Sequence, residues 1–377
     1  MADSYYQIAT TPKLYISYPL WLYATVGSSD LYSVLGLPEQ SDSIITEEDH
    51  IRTIQLDPSN WKQYNFNIAN SQNPIADEMA GSYNYPITPQ LNTPTTTVNV
   101  ENIWNFDYIM FLGHNWNTMN YYPKVQAWNG DILNNYISDV EMSNIVNYNY
   151  GAPPENDGWT LCSLDTAYCD SSQNVLRCTL TPELDENEDV INTSGNPILG
   201  SLAFGKTYTF PQNCRINTKT TMRYGINQKQ TYSGKTISNA DYVKPNSWIT
   251  EPFGLGDSQS DIYKRRSGLR EWVVEFDSLE VGEVMSQNMM LNNNGQIIQD
   301  NHTSEGGNSA YNIHTGVDFF SAVINKTYAN HLPLVLQIDK DNNSPDQFAI
   351  VRMGKNYEIT QKSPNLYNIK VTFIEQV

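Results

Sequence analysis

Carboxylates are the most abundant reactive side chains in this sequence, but no pattern arranges them for catalysis. The 377 residues include 41 Asp and Glu and only five His. A glycosidase needs two carboxyl groups roughly 5–10 Å apart across a cleft, and spacing along a chain of short strands does not set that distance. The sequence also lacks a His-Glu-x-x-His zinc motif, a Gly-x-Ser-x-Gly nucleophile turn and a Gly-rich phosphate loop. It therefore predicts a non-enzymatic protein with no catalytic residues, no metal ligands and no cofactor.

Two polar motifs resemble binding sites but have simpler structural interpretations. His114 and Asn115 follow an apolar, strand-like segment, where such a pair could contact a sugar. Hydrogen bonds from these side chains to the backbone of the following turn explain the pair without any ligand, because the backbone at strand ends needs such partners. Residues 339–346 place oxygen-bearing side chains as a calcium loop does, but Ser344 and Ile350 stand where that loop requires Gly and Glu. We therefore interpret this segment as a tight turn.

The densest basic cluster has both a functional and a structural interpretation. It consists of Lys264, Arg265, Arg266 and Arg270, in a chain with a formal net charge of −19. The cluster is either a docking patch for an acidic surface on a neighbouring subunit or the solvated start of a strand. In the second case the arginine stems would cover Trp272. The sequence does not choose between the two.

Aromatic side chains are plentiful, with 25 Tyr, 11 Phe and 8 Trp. The Asn- and aromatic-rich segments 115–128 and 143–160 could stack on sugar rings, with Trp116, Trp128 and Trp159 as the candidate glycan contacts. The same rings could instead be buried against partner subunits. A third interpretation is that most of them pack in the core of this chain.

Composition argues against several classes of partner. A net charge of −19 should repel nucleic acid. The longest apolar stretch, residues 18–26, is shorter than the 20 or so residues that cross a bilayer. The first residues also lack the basic and then apolar pattern of a signal peptide. We expect synthesis in a cytoplasm, no membrane insertion and no nucleic-acid partner.

The four cysteines do not have the spacing of a zinc site. They are Cys162, Cys169, Cys178 and Cys214, without a Cys-x-x-Cys pair. Free thiols made in a reducing compartment are the favoured state, and one disulfide among the first three is the alternative.

Periodicity predicts an all-β, mainly antiparallel fold. Trp272, Val274 and Phe276 alternate with Val273, Glu275 and Asp277, as expected for a half-buried strand. Residues 13–26 are predicted as extended, and residues 117–158 show little predictable structure. Asp318 is a good N-cap for a short helix near 318–329. We divide the chain into an N-terminal arm (1–12), a jelly-roll-like β-sandwich (13–215), and a second β-sandwich or barrel with that helix (216–377).

Four stretches carry a resemblance to known families. Residues 201–213, 267–279 and 331–350 resemble tail-associated virion proteins of marine tailed bacteriophages. Residues 106–115 are similar to a strand end of galactose-binding-like jelly-roll domains. The resemblance implies a structural role in the virion tail without catalytic activity.

The composition and the resemblance together give the functional expectation. We expect a structural subunit of a phage tail or baseplate whose partners are further copies of itself and neighbouring tail proteins. The alternative is a carbohydrate-binding protein at the tail that recognises a host surface glycan.

Overall fold

The computed structural model describes residues 10–26, 55–56, 64–65, 85–86, 91–92, 107–128, 136–139, 141–164, 175–183, 197–215, 218–241, 268–285, 317–355 and 357–376. The chain forms two compact units. Unit 1 contains Met1–Ile16, Thr207–Asn246 and Tyr263–Val377, and unit 2 contains Ser17–Lys206 and Ser247–Ile262.

Strands dominate the described residues, which confirms the predicted all-β, mainly antiparallel class. In chain order the strands are β1 (Lys13–Ser17), β2 (Tyr64–Asn65), β3 (Tyr85–Pro86), β4 (Leu91–Asn92), β5 (Tyr108–His114), β6 (Tyr121–Trp128), β7 (Tyr136–Asp139), β8 (Met142–Val146), β9 (Gly158–Leu164), β10 (Val175–Pro182), β11 (Ile198–Leu199), β12 (Ser201–Thr209), β13 (Lys219–Arg223), β14 (Ile226–Gln230), β15 (Thr236–Ala240), β16 (Leu269–Glu280), β17 (Leu334–Gln337), β18 (Phe348–Met353), β19 (Glu358–Ser363) and β20 (Leu366–Glu375).

The helices are short. They are α1 (Tyr18–Val26), α2 (Trp116–Met119), α3 (Val281–Val284), a π-helical turn (Phe320–Ile324) that continues as α4 (Asn325–Thr327), and a 3₁₀ turn (Pro345–Gln347). The predicted extended segment 13–26 is therefore correct only for β1. Pro19 is the second residue of α1, where its missing N–H costs nothing, because the first N–H groups of a helix have no intrahelical acceptor.

The sheet of unit 1 confirms the period-two patterns. Its strand order is β13-β16-β20-β18-β17-β1, and β19 also pairs with β20. Trp272 lies opposite Phe373, and Val274 lies opposite Val371. All four of these side chains are buried. A bulge follows Phe276 on β16, with Ser278 in the left-handed region. The extra residue returns Leu279 to the buried face, because one inserted residue reverses the alternation of side chains.

A cluster of aromatic rings packs the π-helical turn and α4 against this sheet. Phe210 stacks on Phe276 with ring centroids 3.9 Å apart and lies 5.5 Å from Phe319. The oxygen Oδ1 of Asp318 accepts a hydrogen bond of 2.9 Å from the N–H of Ser321. The predicted N-cap and helix are therefore confirmed, although the first turn is π-helical.

Residues 10–12 of the predicted N-terminal arm are hydrogen-bonded to other segments of unit 1. The carbonyl of Thr10 accepts from the N–H of Cys214, and the carbonyl of Thr11 accepts from the N–H of Lys340. Pro12 is buried. The segment is held because it leads directly into β1, which pairs with β17. The remainder of the predicted arm, residues 1–9, lies outside the described residues.

The described strands of unit 2 form three sets, the smallest of which pairs β11 with β2. Strands β12, β5, β9 and β8 are neighbours in that order, and a five-stranded sheet has the order β3-β10-β6-β7, with β4 also paired to β10. Both faces of β5 are buried, which explains its continuous apolar sequence from Tyr108 to Leu112. The weak signal over 117–158 was misleading, since α2, β6, β7 and β8 lie there.

The compact units divide the chain differently from the predicted ranges. Residues 13–16 and 207–215 lie in unit 1 with the C-terminal strands. The predicted division at 215/216 followed chain order. The boundaries of the compact units follow strand pairing instead. Strand β1 pairs with β17, which lies more than 300 residues later in the sequence.

The strand ends of unit 1 meet at a buried ion pair. The guanidinium of Arg270, at the start of β16, donates through Nη2 to Oε1 of Glu375, 3.2 Å away, and through Nε to Oε2, also 3.2 Å away. It also donates to the carbonyls of Asp346 and Phe348. The side chain of Glu375 is completely buried. This arrangement satisfies both charges and links β16, β18 and β20.

Truncating one partner of this pair should destabilise the fold strongly. Glu375→Ala leaves the guanidinium buried without its carboxylate, which should lower the free energy of unfolding by about 3–5 kcal/mol in urea titration. The Arg270→Met/Glu375→Leu double variant should be more stable than Glu375→Ala, because no charge is left unpaired. Lys370→Met is the control, since it removes an exposed partner of Glu275 and should change the midpoint little. Equal midpoints for wild type and Glu375→Ala would contradict this role.

Candidate functional site

The first candidate site lies at the end of β5, where the backbone turns His114 inward. The pairing of β5 with β9 shifts register between Leu112 and His114. The intervening Gly113 has φ = 68°, a left-handed conformation that glycine adopts without strain. Glycine at a bulge re-aims the next side chain. His114 is consequently buried and stacks on Trp116, with ring centroids 4.4 Å apart and planes inclined by 15°.

His114 lies at the centre of a chain of hydrogen bonds in which each donor and acceptor can be assigned. The N–H of Trp116 donates to Nδ1 of His114 over 3.4 Å. Nδ1 is therefore unprotonated, so Nε2 carries the proton and donates to Oγ1 of Thr160, 2.8 Å away. The hydroxyl of Thr160 then donates to the carbonyl of Asn147 over 3.0 Å. Nδ1 thus holds a backbone N–H directly, and Nε2 acts through the hydroxyl of Thr160, which holds a backbone carbonyl. This arrangement agrees with the structural interpretation of His114.

Burial keeps this imidazole neutral. Removal from water lowers the pKa of His114 from 6.5 to about 3. Because the ring is buried and both of its nitrogens are bonded within the protein, neither nitrogen faces a substrate in this structure. Asn115 also has a backbone role, since its Oδ1 accepts from the N–H of Ile198 over 2.8 Å.

Amide side chains hold the neighbouring loop in shape. Asn147 has φ = 52°, and its Nδ2 donates to the carbonyls of Asn156 and Trp159 at 2.8 and 2.9 Å. Its Oδ1 accepts from the N–H of Asn156 over 2.9 Å. Asn117 and Thr118 of α2 contact the same loop through the carbonyl of Pro154 and the carboxylate of Asp157. These asparagines therefore shape the protein's own loops.

Two of the three tryptophans predicted as glycan contacts are not on the surface. Trp116 and Trp159 are completely buried. A buried ring cannot stack on a sugar, so these two residues do not form the predicted platform. Trp128 ends β6, and its side chain lies outside the described residues. Tyr150, at the tip of the 147–157 loop, is the exposed aromatic residue of this region.

The segment 339–346 is a tight turn, as predicted. Oδ1 of Asp339 accepts from the N–H of Asp341, and Oδ1 of Asn342 accepts from the N–H of Ser344. Gln337 anchors the turn from β17 by donating to the carbonyl of Asn342. The side-chain oxygens are thus used by the turn itself.

The structure describes only one of the four residues of the predicted basic cluster, Arg270. Lys264, Arg265 and Arg266 lie outside the described residues. Arg270 is buried in its ion pair, and its guanidinium lies 4.6 Å from the ring centre of Trp272. This contact fits the interpretation in which arginine covers Trp272. Arg270 is not available as a docking residue on the surface.

The second candidate site is an exposed hairpin that the sequence interpretation missed. Strands β14 and β15 pair with each other, and nine of their ten residues are exposed. We call residues 219–240, which also include β13, the basic arm. Of the eight large apolar side chains exposed among the described residues, five lie in this arm: Met222, Tyr224, Ile226, Tyr232 and Ile237.

Charge distinguishes the arm from the rest of the chain. It contains Lys219, Arg223, Lys229 and Lys235 and no Asp or Glu. Residues 190–240 hold no acidic residue at all, in a chain with 41 of them. This run without acids was the signal that could have identified the arm. It is easily missed because the bases are spread out along the chain.

Other classes of site are not found in the described part of the chain. No group of three His, Cys, Asp or Glu there could hold a metal ion. None of its helices combines the length and hydropathy needed to cross a membrane. Cys162 and Cys214 are buried thiols, while the side chains of Cys169 and Cys178 lie outside the described residues.

Comparisons with family models, with curated proteins and with solved structures find no match to this chain. The function of the protein is therefore inferred from its own sequence and structure.

Acidification should test the buried state of His114. Between pH 6.5 and about 3 the unfolded chain binds a proton at this position and the folded chain does not. The free energy of unfolding should therefore fall as the pH drops through that window, by about 2 kcal/mol from pH 7 to pH 5 relative to a variant without the group. Urea titrations of wild type and His114→Gln at the two pH values measure this difference. Parallel losses in both proteins would show that His114 titrates normally.

Asn147 offers a test of the loop architecture. Asn147→Ala removes three hydrogen bonds and places a Cβ-bearing residue without a local hydrogen bond at φ = 52°. We expect a loss of about 2–4 kcal/mol in the free energy of unfolding. Asn147→Gly is the matched control, since it removes the same bonds but tolerates the backbone, and should be more stable than Asn147→Ala. Identical stabilities for the two variants would contradict the contribution of the left-handed backbone.

Proposed function

We propose that this protein is a non-enzymatic structural subunit of a bacteriophage tail, assembled with further copies of itself and with neighbouring tail proteins. The observation that carries the proposal is the basic arm. A hairpin that exposes isoleucine and tyrosine on its surface is typical of an element that another subunit covers. A free-standing soluble domain gains nothing from keeping those side chains in water.

The structural roles of the reactive residues support the non-enzymatic part of the proposal. His114 is neutral and bonded through both nitrogens. Arg270 and Glu375 neutralise each other in the interior of unit 1. Asp318 caps a helix. Each of these groups holds backbone or another charge in place, which is the pattern of a protein whose function lies in its shape.

The stretches that resemble phage tail proteins form part of the framework of the fold. Residues 201–213 include β12, residues 267–279 include most of β16, and residues 331–350 include β17 and the tight turn. A resemblance concentrated in framework strands supports a shared structural role. It carries no information about a ligand.

The carbohydrate-binding alternative has less support. Its platform depended on Trp116, Trp128 and Trp159, and two of these are completely buried. Trp128 remains its candidate, together with any glycan contact in residues outside the described ranges.

Native mass and virion labelling test the proposal together. Light scattering followed by electron microscopy should show a discrete ring or a regular stack of subunits, because identical head-to-tail contacts close into rings or extend as filaments. Gold-labelled antibody against the purified chain should decorate the tails of virions that encode it. Label confined to the capsid, or absent from purified particles, would contradict the proposal.

Charge reversal at the predicted docking patch is the matching mutational test. Arg265→Glu/Arg266→Glu should shift the mass distribution toward monomer and leave the melting temperature unchanged, because a docking patch contributes to assembly and not to the fold of the subunit. The control is Lys355→Glu/Lys362→Glu, which makes the same change in net charge at two exposed positions. Normal assembly of the arginine variant would remove these residues from the interface.

A further inference from the structure

The hairpin of β14 and β15 buries neither of its faces against the described residues. Ile226 lies opposite Ala240 on one face, and Lys229 lies opposite Ile237 on the other. Ile226 is 60% exposed and Ile237 is 57% exposed, so neither face is packed against the described part of the chain. Tyr232, in the connecting turn, is fully exposed.

Local polar contacts hold the hairpin together. The N–H of Thr231 donates to the carbonyl of Lys235 over 2.8 Å, and the N–H of Lys235 donates to Oγ1 of Thr231 over 3.0 Å. Gly234 supplies the left-handed residue of the turn, with φ = 81°. A two-stranded hairpin supported only by such contacts is marginal in water and gains stability when a third surface covers it.

The base of the hairpin is fixed to unit 1. Strand β13 pairs with β16 over five residues, and Arg223 forms an ion pair with Glu271. The ring of Tyr224 lies against Gly268, where an added Cβ would come within 3.2 Å of that ring. The hairpin is thus presented from a defined base, which is the arrangement that reproducible docking requires.

Charge identifies the kind of surface that fits the hairpin. Lys229 and Lys235 have no carboxylate partner among the described residues. Outside the basic arm the chain carries 41 acidic residues against 18 basic ones. A basic element on a strongly acidic protein attracts the remaining surface of another copy, because their potentials are opposite in sign.

We propose that the hairpin formed by residues 226–240 docks on an acidic surface of a second copy of this chain. Lys229 and Lys235 select that surface, and Ile226, Tyr232 and Ile237 lose their contact with water on docking. Because the arm and the surface that receives it differ, the contact is heterologous and can repeat from copy to copy. This inference rests on the proposed function, since it names the contact through which the subunits assemble.

Nucleic acid is the competing acidic partner. Exposed lysine and tyrosine also suit a polyanion with stacked bases. A second copy is also negatively charged overall, but it can offer apolar surface to Ile226 and Ile237, which a nucleic acid cannot. The exposed isoleucines therefore favour a protein partner.

The first experiment measures self-association of the full chain by sedimentation velocity at 50 and 300 mM NaCl. Lys229→Glu/Lys235→Glu should weaken association at 50 mM NaCl about tenfold or more, and wild-type association should weaken as salt rises. The control, Lys355→Glu/Lys362→Glu, makes the same change in net charge outside the arm. Its association should remain close to that of wild type. Equal association of the two variants would overturn the proposal.

The second experiment identifies the partner directly. A photo-crosslinking amino acid replaces Tyr232, and ¹⁴N- and ¹⁵N-labelled chains are mixed before irradiation. Mixed-isotope crosslinks to an acidic peptide of this chain are the expected result. Crosslinks only within one chain, or only to co-purifying nucleic acid, would overturn the proposal.

The outcomes separate this inference from the proposed function. If wild type assembles and both lysine variants assemble equally, the hairpin is not the contact and the structural role stands. If wild type remains monomeric and gives no mixed-isotope crosslinks while gold label decorates the tails, the self-contact is wrong and the tail role stands. Virions without label contradict the tail role, and a positive crosslink would then still support self-docking.

Discussion

The ion pair between Arg270 and Glu375 is the constraint on which the sheet of unit 1 depends. The two residues are 105 positions apart, yet one guanidinium spans a carboxylate and the carbonyls of Asp346 and Phe348. A buried charge of this kind is tolerated only when its partner is in place. The starts of β16 and β18 and the end of β20 must therefore meet in one arrangement. A strand that paired one residue out of register would leave at least one charge unsatisfied.

The asparagine-rich composition has a physical explanation in unit 2. Charged residues make up only 17% of the chain, and amides replace them where irregular backbone must be held. Asn147 serves three backbone groups in one loop, and the imidazole of His114 connects that loop to the end of β5. A neutral amide both donates and accepts, so it can satisfy backbone without the desolvation cost of a charge. Segments that look like sugar-binding loops by composition are thus largely self-contacting.

Charge segregation gives the molecule two kinds of surface. The basic arm presents lysine beside exposed apolar side chains, while the remainder of the sequence is strongly acidic. In the proposed docking, each copy would carry both partners of the contact, so the contact could repeat from copy to copy. In the interior, by contrast, the guanidinium of Arg270 is almost entirely buried and its charge is paired with that of Glu375. Arg270 lies close in sequence to Lys264, Arg265 and Arg266, but its burial shows that nearness in sequence does not place a basic residue on the surface.

Sequence alone determined the features that depend on neighbouring residues. The alternation in β16 and β20, the N-cap at Asp318 and the turn at 339–346 all follow from local geometry, so they were predictable. Tertiary structure decided which surfaces are covered. Periodicity assigns Trp116 to a side of its element, but only the imidazole of His114 and the packed loop decide that its ring is buried. The same limit applied to Arg270, whose partner lies at the far end of the chain, and to the basic arm, whose exposure follows from an absence of packing. The burial of a side chain depends on which residues from distant parts of the sequence pack against it, and a local sequence pattern does not contain that information.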